Sequence, residues 1–256
     1  MSVTKRYRCR DRAVIRTRGC TVQRHQNVPR AGNLGRPRTR VNFPATSDTR
    51  SSNWVSFLPV PTLETQVRRL FAEVREALAR ATFALLNADV GLAQSVVDGD
   101  QEIDDLTAEV ELMVWSQMDT EDLDREGVRQ LVGVLLILPE LERSADLAEH
   151  IAQRALTHTG SEMTPSGRGI VQRMSEVAAE MWQAVGAAYT ERNAASLDLD
   201  EEDEELDILH DRLSAEIAKG DMSSTVAAQV TLISRFYERI GDHAVNLSRR
   251  IAALQS

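Results

Sequence analysis

Apolar residues recur every three or four positions through most of the chain after Pro61, which is the period of an amphipathic α-helix. The clearest stripe consists of Leu63, Val67, Leu70, Val74, Leu78, Ala81 and Leu85. This part of the sequence has neither the strict alternation of a half-buried strand nor the turn residues of a hairpin. The pattern therefore predicts an all-α protein built from six helices.

Capping residues and breakers divide the predicted helices. A first helix begins after Thr62, and a second begins at Asp89, is interrupted at Gly99 and resumes at Asp100. The remaining helices cover about residues 126–156, 169–189, 193–219 and 224–254. Residues 159–167, which are rich in Gly, Ser and Thr, are predicted to be a linker.

The six predicted helices fall into two similar sets of three. Asp100–Leu106 aligns with Asp203–Leu209 at an offset of 103 residues. Glu142–Ala148 aligns with Glu238–Ala244 at an offset of 96. A duplicated unit is the simplest explanation, so we predict two tandem three-helix bundles. The predicted boundaries are residues 1–60 for a separate N-terminal segment, 61–160 for the first bundle and 161–256 for the second.

The N-terminal segment has the opposite charge from the rest of the chain. Residues 1–50 carry twelve Arg and one Lys against two Asp, whereas residues 51–256 carry 17 basic and 37 acidic residues. The basic segment lacks apolar periodicity and contains many breakers, so it is predicted to be disordered. Three interpretations of this segment are open. It is a basic arm that binds nucleic acid or an anionic surface, or it is an organelle transit segment. The interpretation we favour is an upstream extension of the reading frame, with the true start near Leu63. The acidic helical part is not expected to bind nucleic acid, and no apolar run is long enough to span a membrane.

Two acidic pairs recur at matching places in the two sets. Glu142 and Asp146 in the first set are four residues apart and share one face of a helix, as do Glu238 and Asp242 in the second. Like charges at this spacing repel, and oxygen ligands suit hard or borderline cations, so each pair is a candidate metal site. The alternative is an ordinary solvated acidic face.

The middle helix of each set carries a further acidic pair at the same spacing, Asp100 with Asp104 and Asp203 with Asp207. These residues are candidates for additional metal ligands. The alternative is that they lie near a helix N-terminus, where acidic side chains match the helix dipole.

The sequence lacks the motifs of the common enzyme classes. It has no Walker loop and no Glu-x-x-His, the motif that ferritin-like di-iron oxidases need twice. Both cysteines, Cys9 and Cys20, lie in the basic segment, so the helical part has no thiol nucleophile and a reducing setting is expected. We therefore expect a protein that is not an enzyme. A metalloenzyme or metal-storage bundle built on the same carboxylates is the alternative.

Two segments, Leu141–Ala148 and Tyr237–Asn246, resemble the paired motifs of the PhoU family of phosphate-transport accessory regulators. The Asp-x-x-Ile-Asp-x-Leu pattern of Asp100–Leu106 also resembles that family, and the likeness covers roughly residues 63–256. It implies two three-helix bundles in one six-helix domain that binds multinuclear iron or zinc clusters. The ligands implied by position are Glu142, Asp146, Glu238 and Asp242, with Asp100, Asp104, Asp203 and Asp207 as further candidates.

The same resemblance implies a cytoplasmic role in phosphate signalling. Such proteins couple the ATPase of the phosphate ABC transporter to a sensor histidine kinase, often form homodimers, and repress the phosphate-starvation response when phosphate is ample. The second motif keeps the family pattern, whereas the first has Ser144 and Ala145 in place of Ile and Gly. The second-repeat site is therefore the stronger of the two candidate metal sites.

Overall fold

The computed structural model describes residues 62–119, 123–194 and 197–255. Within these ranges the chain forms seven α-helices: α1 Leu63–Asn87, α2 Val90–Met118, α3 Arg125–Leu156, α4 Thr159–Glu162, α5 Pro165–Glu191, α6 Asp200–Ala218 and α7 Ser224–Gln255. The same ranges contain no strand, and the all-α prediction is confirmed. The segment predicted to be disordered, residues 1–60, lies outside the described residues.

The helices begin where short polar side chains satisfy free backbone N–H groups. Thr62, Asp89, Asp124 and Thr164 each accept a hydrogen bond from the backbone N–H three residues later, at N···O distances of 2.7–3.2 Å. Such a cap typically contributes about 1 kcal/mol. Thr62 and Asp89 are the helix starts that the sequence predicts.

Two three-helix bundles pack against each other, as predicted. Helices α1, α2 and α3 form the first bundle, and α5, α6 and α7 form the second. Because α3 packs on α7 and α1 packs on α5, the two bundles share one core. The buried hydroxyls of Thr82 on α1 and Tyr237 on α7 lie 2.6 Å apart within it. None of the described helices combines the length and the apolar character needed to cross a membrane.

The seam between α3 and α7 follows the internal repeat. Glu140 on α3 is buried, contacts the His243 ring and forms an ion pair with Arg250, whose Nη2 lies 2.8 Å from Glu140 Oε1. At the offset of 96, Phe236 corresponds to Glu140 and Arg154 to Arg250. The Arg154 guanidinium lies 5.2 Å from the centre of the Phe236 ring, so a cation–π contact replaces the ion pair. These reciprocal contacts indicate that the two units pack about an approximate twofold axis.

Gly99 does not interrupt α2, contrary to the prediction. The helix runs without a break through this residue, because the buried side chains of Val96 and Ile103 hold both sides of it in the core. A single interior glycine costs a helix only about 1 kcal/mol relative to alanine, and burial outweighs that cost.

Two helices begin at residues other than those predicted. Helix α5 begins at Pro165, before the expected start near Gly169, because proline suits the first turn of a helix and Thr164 caps it. Helix α6 begins at Asp200, later than the expected start near Asn193. Its first turn holds the acidic run that the helix dipole favours.

The predicted linker at residues 159–167 is instead a close-packed joint that contains α4. Gly160 is buried against the end of α1, where a Cβ atom would lie 1.7 Å from the carbonyl oxygen of Leu85. Arg168 on α5 donates hydrogen bonds to the carbonyls of Gly160 and Leu86. The connection therefore fixes the start of the second bundle to the end of α1.

Candidate functional site

Four candidate carboxylates of the first repeat lie between α2 and α3. Asp100 and Asp104 are on α2, Glu142 and Asp146 are on α3, and we call these four residues the first carboxylate set. One oxygen from each of Asp100, Asp104 and Asp146 lies within 4.8 Å of the other two. Cations bind protein oxygens at about 2.0–2.6 Å, so oxygens up to roughly 5 Å apart can share one ion. Nearby on α2, three residues after Asp104, the buried hydroxyl of Thr107 has no hydrogen-bond partner among the described residues.

The carboxylates of this set oppose one another's ionisation. Burial raises the pKa of Asp100 from its ordinary value of 3.8 to about 6, and the negative charges of Glu149 and Asp104 contribute to the rise. Burial, followed by the charges of Asp104 and Asp146, also raises the pKa of Glu142. Because a nearby positive charge favours the ionised form of a carboxylate, a bound cation would relieve this repulsion.

The position of Asp100 within its helix argues against the helix-dipole explanation. Asp100 lies more than two turns after α2 begins at Val90, whereas the dipole acts within the first turn. In contrast, Asp203 lies in the first turn of α6, where that explanation does apply.

Two further acids border the first carboxylate set and were not identified from the sequence. Glu149 on α3 is the strongest of the charged neighbours of Asp100, and Glu111 on α2 raises the pKa of Glu142. Their spacing is the signal that could have found them. Glu149 follows Glu142 by seven residues, and Glu111 follows Asp104 by seven, so each lies on the helix face that carries the set.

The equivalent residues of the second repeat lie between α6 and α7. Asp203 and Asp207 are on α6, Glu238 and Asp242 are on α7, and these four form the second carboxylate set. Burial, followed by the charges of Asp242 and Asp207, raises the pKa of Asp203. The two helices approach closely at Gly241, where a Cβ atom would lie 2.5 Å from a leucine side chain of α6 and 3.5 Å from Asp203 Oδ1.

Basic side chains act on the second carboxylate set. Arg235 forms an ion pair with Glu238, and Arg249 acts to lower the pKa of Asp203. Glu238 also lies 3.5 Å from Nδ1 of His210. A cation in this set would therefore compete with Arg235 for Glu238.

The offset between the repeats explains why the two sets differ. Pro139 occupies in α3 the position that Arg235 occupies in α7, so Glu142 has no arginine three residues before it. Likewise, Val245 stands where the first repeat has Glu149. The first set is thus the more negative, and within the described residues it contains the one group of three metal-ligating side chains at ligand distance. The geometry favours the first set, whereas the motif pattern favours the second.

The raised pKa of Asp100 predicts a pH-dependent stability in the absence of metal. Between the unfolded value of 3.8 and the folded value of about 6, the folded state binds more protons, so the contribution of Asp100 to stability falls as the pH rises through this window. Asp100→Asn removes that contribution. The free energy of unfolding of the variant minus that of the wild type, measured with urea in the presence of a chelator, is expected to rise between about pH 4 and about pH 7.

Asp105→Asn is the matched control, because Asp105 is the exposed neighbour on the same helix and accepts a hydrogen bond from Gln101. The rise with pH is expected to be larger for Asp100→Asn than for this control. An equal rise in both variants would show that the effect does not come from the first carboxylate set.

Comparison with known proteins identifies the family. A family model of the PhoU domain matches residues 67–155 and 171–251, which lie in the two repeats. The chain is 33% identical over 181 residues to phosphate-specific transport system accessory protein PhoU homolog 2 of Mycobacterium tuberculosis, an alignment that covers 68% of this chain and 84% of the relative. It is 28% identical over 194 residues to the PhoU homolog of Caulobacter vibrioides, covering 74% of this chain and 84% of the relative. The chain belongs to the PhoU family, as its motifs predict.

Solved structures share the fold. PhoU from Pseudomonas aeruginosa superposes with a TM-score of 0.68 at 22% identity, covering 75% of this chain and 94% of that one. The phosphate transport system regulatory protein PhoU from Streptococcus pneumoniae has the same TM-score of 0.68 and 22% identity, covering 76% and 93%.

Proposed function

We propose that this chain is an accessory and regulatory protein of phosphate-specific transport, and that it acts by binding and not by catalysis. The observation that carries the proposal is the match of both repeats to the PhoU domain. The relative in Mycobacterium tuberculosis is named a phosphate-specific transport system accessory protein, which supports the same role. The lack of a Glu-x-x-His motif favours a regulator over an oxidase.

In this proposal the protein works in the cytoplasm as a homodimer. It contacts the ATPase of the phosphate ABC transporter and a sensor histidine kinase, and it lowers the phosphate-starvation response when phosphate is ample. The repeats form two similar bundles around one core, which would allow each bundle to contact one partner.

We further propose that iron or zinc binds the first carboxylate set, as one ion or as part of a multinuclear cluster. Asp100, Asp104 and Asp146 would supply oxygen ligands, and Glu142 with Glu149 would add negative charge beside them. The metal would supply positive charge that offsets the repulsion between α2 and α3. The second carboxylate set is the weaker candidate, because Arg235 already pairs with Glu238.

The regulatory proposal is tested by deleting the gene in a host that has no second copy. A reporter driven by a phosphate-starvation promoter is expected to stay on in phosphate-rich medium, and the full chain supplied in trans should switch it off. Normal repression in the deletion strain would contradict the regulatory role.

A carboxylate-bridged metalloenzyme or metal-storage bundle is the second candidate function. The grouping of Asp100, Asp104 and Asp146 is the observation that favours it. Oxygen consumption after ferrous ion is added to the purified protein would support this candidate. Metal binding without oxygen consumption would favour the regulator.

A further inference from the structure

A shallow apolar groove runs along α3 beside the last turns of α7. Gly133 and Leu254 line it, and its volume is about 530 Å³. Val128, Val132 and Leu136, spaced one turn apart on α3, also line it and are 39%, 40% and 51% exposed. Apolar side chains at this spacing usually face a core, and a contiguous exposed row of them is typical of an interaction site. We call this feature the α3 groove.

Four arginines border the α3 groove: Arg125, Arg129, Arg249 and Arg250. Arg129 and Arg250 pair with acids of α3, whereas Arg125 and Arg249 form no ion pair with an acid in the described ranges. This concentration of positive charge stands out, because residues 51–256 carry 17 basic against 37 acidic residues. The groove therefore combines an apolar floor with a basic rim on an otherwise acidic domain.

We propose that the α3 groove binds an amphipathic helix of a partner protein, with apolar residues on one face and acidic residues on its flanks. Val128, Val132 and Leu136 would pack against the apolar face of that helix. The rim arginines would pair with its flanking carboxylates, which guanidinium groups bind well. The proposal goes beyond the phosphate role. One rim residue, Arg249, also acts on Asp203 of the second carboxylate set, and the variants used in the test leave Arg249 in place.

Charge argues against the other occupants. A second copy docked through the same face would bring the arginine rims of both copies together, and like charges across an interface are unfavourable. Residues 1–50 are strongly basic and would meet the same repulsion. An anionic membrane would attract the rim but repel the acidic remainder of the domain. The groove also has no aromatic residue of the kind that anchors proteins at membrane surfaces.

The test uses the full chain and a fluorescent stapled helical peptide that carries one leucine per turn with glutamates on both flanks. Fluorescence anisotropy is expected to show binding, and a matched peptide with lysine in place of each glutamate should bind at least about tenfold more weakly. Val132→Asp and Arg125→Glu should each weaken binding of the acidic peptide by at least about tenfold. Raising the salt concentration should also weaken it, because the rim is exposed.

Two matched variants are the controls, Leu112→Asp on α2 and Arg75→Glu on α1, which make the same kinds of change on other exposed positions. Both should keep the affinity of the wild type, and circular dichroism should show that all four variants are folded. Four results would overturn the proposal: no binding of either peptide, equal binding of both, binding to phosphatidylglycerol vesicles that Val132→Asp abolishes, or a dimer in sedimentation that Val132→Asp dissociates. The peptide-binding test does not use the phosphate-starvation reporter, so a negative result here would leave the proposed phosphate role standing.

Discussion

Gly160→Ala is expected to destabilise the fold by about 1–3 kcal/mol, the usual cost of forcing extra atoms into a close-packed site. The new Cβ atom would lie 1.7 Å from the carbonyl oxygen of Leu85 and 2.7 Å from its carbonyl carbon. Both are backbone atoms near the end of α1, so neither can move aside by a change of rotamer. The overlap can be relieved only by shifting α4 away from α1, which would disturb the hydrogen bonds that Arg168 donates to both segments. Urea unfolding followed by circular dichroism measures the effect.

Gly169→Ala is the control for this substitution. Gly169 lies inside α5, and a Cβ atom there would meet nothing within 4 Å. The variant is expected to be as stable as the wild type or to gain up to about 1 kcal/mol from the higher helix propensity of alanine. Equal stability of Gly160→Ala and Gly169→Ala would contradict the close packing of Gly160 against the end of α1.

Removing two carboxylates of the first set is expected to abolish most of the stabilisation that metal gives. At a free metal concentration about a hundred times the dissociation constant, the wild type should gain about 2.7 kcal/mol by mass action. If Asp104→Asn with Asp146→Asn lowers the affinity about a hundredfold, the gain falls to about 0.4 kcal/mol. Without metal, the double variant should be slightly more stable than the wild type, because a source of repulsion is gone. Melting curves with and without chelator, together with elemental analysis, measure both effects.

The second carboxylate set provides the comparison for this experiment. Asp207→Asn with Asp242→Asn makes the same change at the equivalent positions, and it should reduce metal binding less, because Arg235 already pairs with Glu238 of this set. A metal content that falls only in the second-set variant would contradict the assignment to the first set. A first-set variant that is less stable than the wild type without metal would indicate a structural role for these carboxylates.

The long helices were predictable because hydrophobic periodicity records which face of a helix is buried. Of the predicted α1 stripe, Leu63 is partly buried, and the buried members are Val67, Leu70, Val74, Leu78, Ala81 and Leu85. The joint at Gly160 was not predictable in the same way. Glycine and serine in a sequence indicate a turn. Only the packing of α4 on α1 shows that Gly160 is needed because a side chain would not fit there, and not because the backbone needs conformational freedom.

The grouping of the candidate carboxylates was predictable in part. The repeated acidic motifs indicated which helix faces carry the candidate ligands, and the structure places Asp100, Asp104 and Asp146 together. Motif likeness alone favours the second set, whereas the structural argument for the first set depends on side chains outside the motifs. Arg235 pairs with Glu238 in the second repeat, and the equivalent position in the first repeat is occupied by Pro139.

Complementation of the deletion strain links the first carboxylate set to phosphate regulation most directly. The strain would receive the full chain as wild type, as Asp104→Asn with Asp146→Asn, or as Asp105→Asn, and the starvation reporter would be read in phosphate-rich medium at equal protein levels. We predict that the wild type and Asp105→Asn silence the reporter and that the double variant leaves it on. A reporter that stays on with the wild-type chain, or that the double variant silences as fully as the wild type, would contradict the account.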